Sequence, residues 1–154
     1  MAIQSAINSM LGTAGTVSAI TQHLDAQKKE ISVKKAEAEK EMFNTENELK
    51  QNTTDITHQM VLEGNDAGLE PKKGETPEQA EQRAVDEYLE AKSEAAENRY
   101  QEQMDKVKHP EKSIRVELAR KAADQVQDEI NARRNLKFDL DIAKKKLKAL
   151  GGKL

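Results

Sequence analysis

DAQKKEISVKKAEAEKEMFNTENELKQ, residues 25–51, sets the fold class. It contains no glycine or proline, is dominated by strong helix formers and interleaves charges of both signs, the composition of a long solvated helix. Apolar residues recur through it at seven-residue steps. One series, Ile3, Met10, Val17, Leu24, Ile31 and Ala38, enters from upstream, and a neighbouring one continues as Met42, Leu49 and Ile56. The stripe drifts as a straight helix drifts against a 3.5-residue repeat, which predicts gently crossing helices. Lys28, Lys35, Thr45 and Asn52 fall in or beside the seam and are expected to weaken it.

Upstream, residues 2–24 (AIQSAINSMLGTAGTVSAITQHL) carry no charged side chain, although 34% of the chain is Asp, Glu, Lys or Arg. On a helix, Ile3, Ile7, Met10, Leu11, Val17 and Leu24 gather on one side, with Ala14 and Thr21 between them. Asn8, Gly12, Gly15 and Ala19 form a small-residue stripe on the other, which would let a second backbone approach closely. Glycine inside a helix costs about 1 kcal/mol relative to alanine, so the reading is either close packing in an assembly or a break between Leu11 and Gly15. Gln4, Asn8, Gln22 and His23 argue against a lipid-spanning helix. The lack of a basic segment before the apolar residues predicts no cleaved secretory signal.

Downstream, EGNDAGLEPKKGET (63–76) concentrates Gly64, Gly68, Gly74 and Pro71 and reads as a flexible surface connection. Thr76, Pro77 and Gln79 form a strong helix start, with a capping hydroxyl, a first-turn proline and an amide able to reach back to the cap. A helix is predicted from there to about Lys108, with Ala84, Val85, Tyr88, Leu89, Ala95, Ala96, Tyr100, Met104 and Val107 on its apolar side. Pro110 interrupts as a kink or a hairpin turn. Helix then resumes through Ile114, Leu118, Ala122, Val126, Ile130, Leu140, Ala143, Leu147 and Leu150, and stops at Gly151 and Gly152. The expected fold is all-α: about three long amphipathic helices forming an elongated, coiled-coil-like hairpin. Its segments are an uncharged helix (1–24), a charged helix (25–62), a loop (63–76), two arms meeting at Pro110 (77–150) and a short tail (151–154).

Leu, Ile, Val and Phe make up 29 of 154 residues, about 19%, which is low for a compact globule. The net charge of −3 is too small for self-repulsion to enforce disorder. Charge is nonetheless uneven: residues 76–109 carry −4 and residues 110–154 carry +5. Antiparallel pairing of acidic and basic helix faces is the favoured explanation, and a phosphate-binding tail is the alternative. For that tail the candidate phosphate contacts are Arg133, Arg134, Lys137, Lys144, Lys145, Lys146 and Lys148. With only Phe138 among them as a stacking group, the contact would be nonspecific.

No catalytic constellation emerges. The absence of cysteine excludes disulfides and thiolate chemistry. His23, His58 and His109 are far apart in sequence and fit neither HExxH nor a paired Glu-x-x-His pattern. Asp55 and His58, three apart on a helix, read as ordinary surface. The Lys72-Lys73-Gly74 order does not make a P-loop, and Asn65, Asp66 and Gly68 lack the ligand spacing of an EF-hand. The chain is therefore expected to be non-enzymatic, without catalytic or metal-binding residues, cofactor or small-molecule substrate.

The opening MAIQSAINSMLGTAGTVSAI, followed by a Lys/Glu/Gln-rich helical region, resembles the beginning of bacteriophage minor virion proteins, especially the DNA pilot or ejection proteins of small phages. The likeness covers roughly the first 50 to 60 residues and is compositional; this chain is shorter, has fewer glycines and lacks a strongly apolar N-terminal span. The resemblance implies a structural protein of the virion, made in the host cytoplasm and either internal or at a portal or tail vertex, that oligomerises through long helices and aids genome delivery. Its partners would be further copies and other virion proteins, with membrane contact by the N-terminal helix. Ile3, Ile7, Met10, Leu11, Gly12, Ala14, Gly15, Val17, Ala19 and Leu24 are the expected oligomer- or membrane-facing residues. A cytoplasmic helical adaptor binding a partner helix is the second expectation, and a nonspecific nucleic-acid-binding helical protein the third.

Overall fold

A computed structural model describes residues 14–152 of the chain. The fold is all-α: α1 (Ala14–Leu62), α2 (Pro77–Lys106) and α3 (Ile114–Ala149), with one-turn 3-10 segments at Asp66–Leu69 and Pro110–Lys112. The described residues form two compact units, one of residues 44–141 and one of residues 14–43 with 142–152.

Local chemistry sets the helix ends. Thr76 accepts from the Gln79 N–H at 3.2 Å while the Gln79 side chain accepts from the Thr76 N–H at 3.1 Å, so the capping box satisfies two otherwise orphaned donors. α1 stops where Gly64 takes φ +75°, letting Gly64 donate to Val61 and Asn65 donate to Met60. That pair of bonds is a Schellman closure, which needs a left-handed residue that glycine supplies without steric cost. Gly151, with φ +78°, repeats it at the end of α3: Gly151 donates to Lys148, and Gly152 donates to Leu147. Pro110 does not kink a continuous helix. α2 ends at Lys106 and α3 begins at Ile114, where the Ser113 hydroxyl accepts from the Val116 N–H. Tyr100 and Met104 of α2 line one cleft with Val116 and Arg120 of α3, so the chain turns back on itself as a hairpin.

In the unit of residues 44–141, helix direction can be read from the contacts. Going up α1, Thr53 bonds Gln82 and Glu63 bonds Tyr88, so partner numbers rise together and α1 and α2 run parallel. Going up α2, Asp86 meets Arg133 and Lys137, whereas Tyr100 and Met104 meet Val116, so α3 runs antiparallel to α2. Parallel neighbours require a crossover, and residues 63–76 supply it. Fourteen residues reach at most about 46–50 Å, ample for the return. Gly64 and Gly74 take left-handed turn conformations (φ +75° and +85°), and the segment is fastened. Leu69 packs on the core, and Arg83 grips the Glu75 carboxylate through two nitrogens (2.9 and 3.1 Å) while also donating to the Gly68 and Glu70 carbonyls (both 3.3 Å). Hydrogen bonding from Arg83 holds the Glu75 carboxyl below its usual range.

The core of this unit is Ile56, Met60, Ala84, Val85 and Leu89, joined by Leu69, Tyr88 and Ile130. In α3 the buried series is Val116, Ala119, Ala123, Val126, Arg133 and Leu140. The sequence pattern places Ile114, Leu118 and Ala122 on the inner face; all three are exposed, because the seam runs through Val116, Ala119 and Ala123 instead. The unit of residues 14–43 and 142–152 holds a smaller core: Ala143 and Leu147 are fully buried and Ala38 is nearly so. A Lys146–Glu41 ion pair at 3.6 Å ties α1 to the last turns of α3.

Candidate functional site

Arg133 occupies the centre of the three-helix layer. It sits in a seven-residue series with Ala119, Val126, Leu140 and Leu147, all buried, at a position where an aliphatic side chain would ordinarily pack. Only 2% of its side chain is exposed. Removing a guanidinium from water costs several kcal/mol unless its donors are satisfied, and here each of the other two helices contributes acceptors. From α1, Asn52 Oδ1 and Thr53 Oγ1 both accept from Nη1 at 2.8 Å. From α2, Asp86 Oδ1 accepts from Nε at 2.8 Å and Gln82 Oε1 accepts from Nη2. The Gln82 amide in turn donates to Thr53 at 3.3 Å, closing a ring of side chains. No buried side-chain polar atom among the described residues lacks a partner.

Lys137, one turn further along α3, donates to the other Asp86 oxygen at 2.5 Å. Burial pushes the Asp86 carboxyl up, but hydrogen bonds from Lys137 and Arg133 outweigh it and hold the group below the usual aspartate range. Nearby, Tyr88 donates to Glu63 at 2.6 Å, and that bond lowers the Glu63 carboxyl. Burial, then the Glu63 carboxylate, drives the Tyr88 phenol well above its ordinary value. Lys92 lies 5.7 Å from the Tyr88 ring centre.

This geometry corrects the candidate phosphate-binding set. Arg133 faces inward with four acceptors and cannot meet a phosphate without dismantling the layer. Lys137 is committed to Asp86, and Lys146 lies against Glu41. Arg134, Lys144, Lys145 and Lys148 remain exposed. Asn52, expected to weaken the α1 seam, is instead one of the acceptors that make burial of Arg133 tolerable. Sequence reasoning missed the node, though a signal was present: stepping back seven residues from Leu147 and Leu140 lands on Arg133, and seven more lands on Val126.

A second feature is an uncovered helix face. Val17 (39% exposed), Ile20 (43%), Leu24 (51%) and Ile31 (53%) stand open on α1. At 100° per residue these four lie within about 60° of one another, in the same sector as Ala38 and Met42. Ala38 is buried and Met42 is half-buried. Of the expected oligomer- or membrane-facing residues, Val17, Ala19 and Leu24 are exposed, and Ala14 and Gly15 lie in the first turn of α1. Ile3, Ile7, Met10, Leu11 and Gly12 lie outside the described residues.

Among the described residues, no three His, Cys, Asp or Glu side chains converge as a metal site, and no helix is long and apolar enough to cross a membrane. Asp55 and His58 are both exposed. A cleft of about 240 Å³ between α2 and α3, floored by Leu89 and Ile130, is rimmed by Asp86, Glu90, Arg134 and Lys137, so acids offset its cations. Comparison with protein-family models, with curated proteins and with solved structures gives no match.

Proposed function

We propose that the protein is a non-enzymatic structural component of a bacteriophage particle, internal or at a portal or tail vertex, which assembles through the first half of α1 and aids genome delivery. The observation carrying this reading is the bare apolar stripe of Val17, Ile20, Leu24 and Ile31. A contiguous apolar face rimmed by charge marks an interaction surface. The N-terminal likeness to DNA pilot and ejection proteins supplies the virion setting. Location in the virion and contact of the N-terminal segment with the host envelope belong to the same proposal.

The test is the composition of purified particles. The chain is expected among their proteins by mass spectrometry, and Leu24→Glu is expected to lower both its incorporation and infectivity. Absence of the chain from particles overturns the virion reading. The alternative, a cytoplasmic adaptor whose partner helix covers the same stripe, predicts a stable complex with a cellular protein that Leu24→Glu abolishes. Nucleic-acid binding is the third reading. Burial of Arg133 and the ion pairs of Lys137 with Asp86 and Lys146 with Glu41 leave it Arg134, Lys144, Lys145 and Lys148, and it predicts salt-sensitive DNA binding lost on neutralising Lys144, Lys145 and Lys148.

A further inference from the structure

We infer that the bare stripe of α1 is covered by the same stripe of a second copy of this chain, parallel and in register. This rests on the reading of α1 as an assembly surface and goes further by naming the occupant and its direction. Three observations carry it.

The first is continuity with an existing helix-helix interface. Ala38 is buried where α3 lies alongside α1, and α3 closes at Gly151 and Gly152. The closure is tight: a Cβ on Gly152 would collide with Leu147 Cδ1, so the buried Leu147 side chain would have to shift to admit one. Beyond that point the stripe continues through Ile31, Leu24, Ile20 and Val17, all exposed, with no helix of the described residues over it. A helical partner of the same kind completes the seam.

The second is charge complementarity contained within the stripe itself. With Val17, Leu24 and Ile31 as one line of a heptad and Ile20, Gln27 and Lys34 as the other, the flanking positions are His23 and Glu30 on one side, and Lys28 and Lys35 on the other. In a parallel in-register pair, Glu30 of each copy faces Lys35 of the other, giving two symmetric attractive contacts. In an antiparallel pair like flanks meet, so Glu30 of one copy never faces Lys35 of the other, and a register centred near Ile31 sets lysines 28 and 35 against each other. The charges select the parallel arrangement.

The third is the placing of polar residues. Gln27 lies on the seam, where two copies in register can pair their amides, and a single polar seam residue fixes alignment in coiled coils. Lys34 lies on the seam one heptad later. Opposed lysines end the pairing there, just before Ala38 passes under α3.

The chain contains no cysteine, so single-cysteine variants of the full-length protein each report one position. Val17→Cys, Leu24→Cys and Ile31→Cys are each expected to form a disulfide-linked dimer under mild oxidation, since facing seam positions lie within disulfide reach. Val33→Cys, on the far side of the helix, is expected to link at least tenfold more slowly. An equimolar mixture of Val17→Cys and Ile31→Cys is expected to give no peptide cross-linked between positions 17 and 31. Lys35→Glu should weaken self-association about tenfold, and Glu30→Lys combined with Lys35→Glu should restore it. A monomeric native mass at micromolar concentration, a link between positions 17 and 31, or equal linking at position 33 each overturns the proposal. Any of these can occur with the chain present in particles, and the cross-links can form with the chain absent from them, so the two readings fail separately.

Discussion

From Ala38 to Met60 the apolar stripe of α1 is largely buried, whereas from Val17 to Ile31 the same sector of the same helix stands open to solvent. Both stretches obey one periodicity, and both are laced with charge on their other faces. They differ in what lies opposite. In residues 44–141 the stripe meets α2 and α3 and even accommodates a buried arginine; towards the start of the described residues no other described helix covers it. Helical periodicity thus specifies a face able to be buried, and chain connectivity settles whether it is buried internally or left for a partner.

Substitutions put this contrast to the test. The largest effect is expected at Arg133. Arg133→Ala leaves a void and strips Asn52, Thr53 and Gln82 of their donor, so urea unfolding should show a loss of about 3 kcal/mol. Replacing the node as a whole, with Asn52→Leu, Gln82→Leu and Arg133→Met together, should recover most of that loss, because a packed apolar layer can equal a satisfied ionic one. If Arg133→Ala unfolds at the wild-type urea midpoint, the node does not hold the layer together.

A closer contrast is that between two leucines. Leu49→Ala, in the covered stretch, should cost about 2 kcal/mol, while Leu24→Ala should stay within about 0.5 kcal/mol at concentrations low enough to keep the chain monomeric. Equal losses would mean that the open stripe has a cover within the chain. Gly64→Ala tests the closure that ends α1: at φ +75° an alanine is strained by about 1 kcal/mol, visible as a lowered melting temperature.

The smallest effect concerns pH. Because the folded Asp86 carboxyl titrates below its unfolded counterpart, its contribution is present above the ordinary aspartate pKa of about 4 and is lost as pH falls through the lower folded value. Stability followed from pH 6 to pH 2 should decline less steeply in Asp86→Asn than in the wild type. An unchanged slope would show that Asp86 is not stabilised as an anion by Lys137 and Arg133.

Much of the architecture is legible in the residues. The Thr76-Pro77-Gln79 start, the helix stop at Gly151 and the all-α class each rest on local rules, and local rules need only neighbouring residues. The site is less legible. Arg133 groups with Arg134 and Lys137 when charge is counted without direction, while burial depends on which of two adjacent residues points at the seam. The inner face of α3 is misplaced at Ile114 and Leu118 for a related reason: Val116 and Ala119, two and one positions further on, form an equally regular series, and only packing against α2 chooses between them.

That this chain builds long helices, where they are capped, and that the early part of α1 carries a stripe suited to burial all follow from the order of its residues. These are consequences of backbone sterics, capping hydrogen bonds and helical period. Folding in three dimensions was needed to show that α1 and α2 run parallel across a fastened crossover, that a guanidinium lies at the centre of the three-helix layer, and that the stripe is covered from Ala38 onward but bare from Val17 to Ile31. Each of these depends on which distant segments come together, a property of the folded chain that no local pattern encodes.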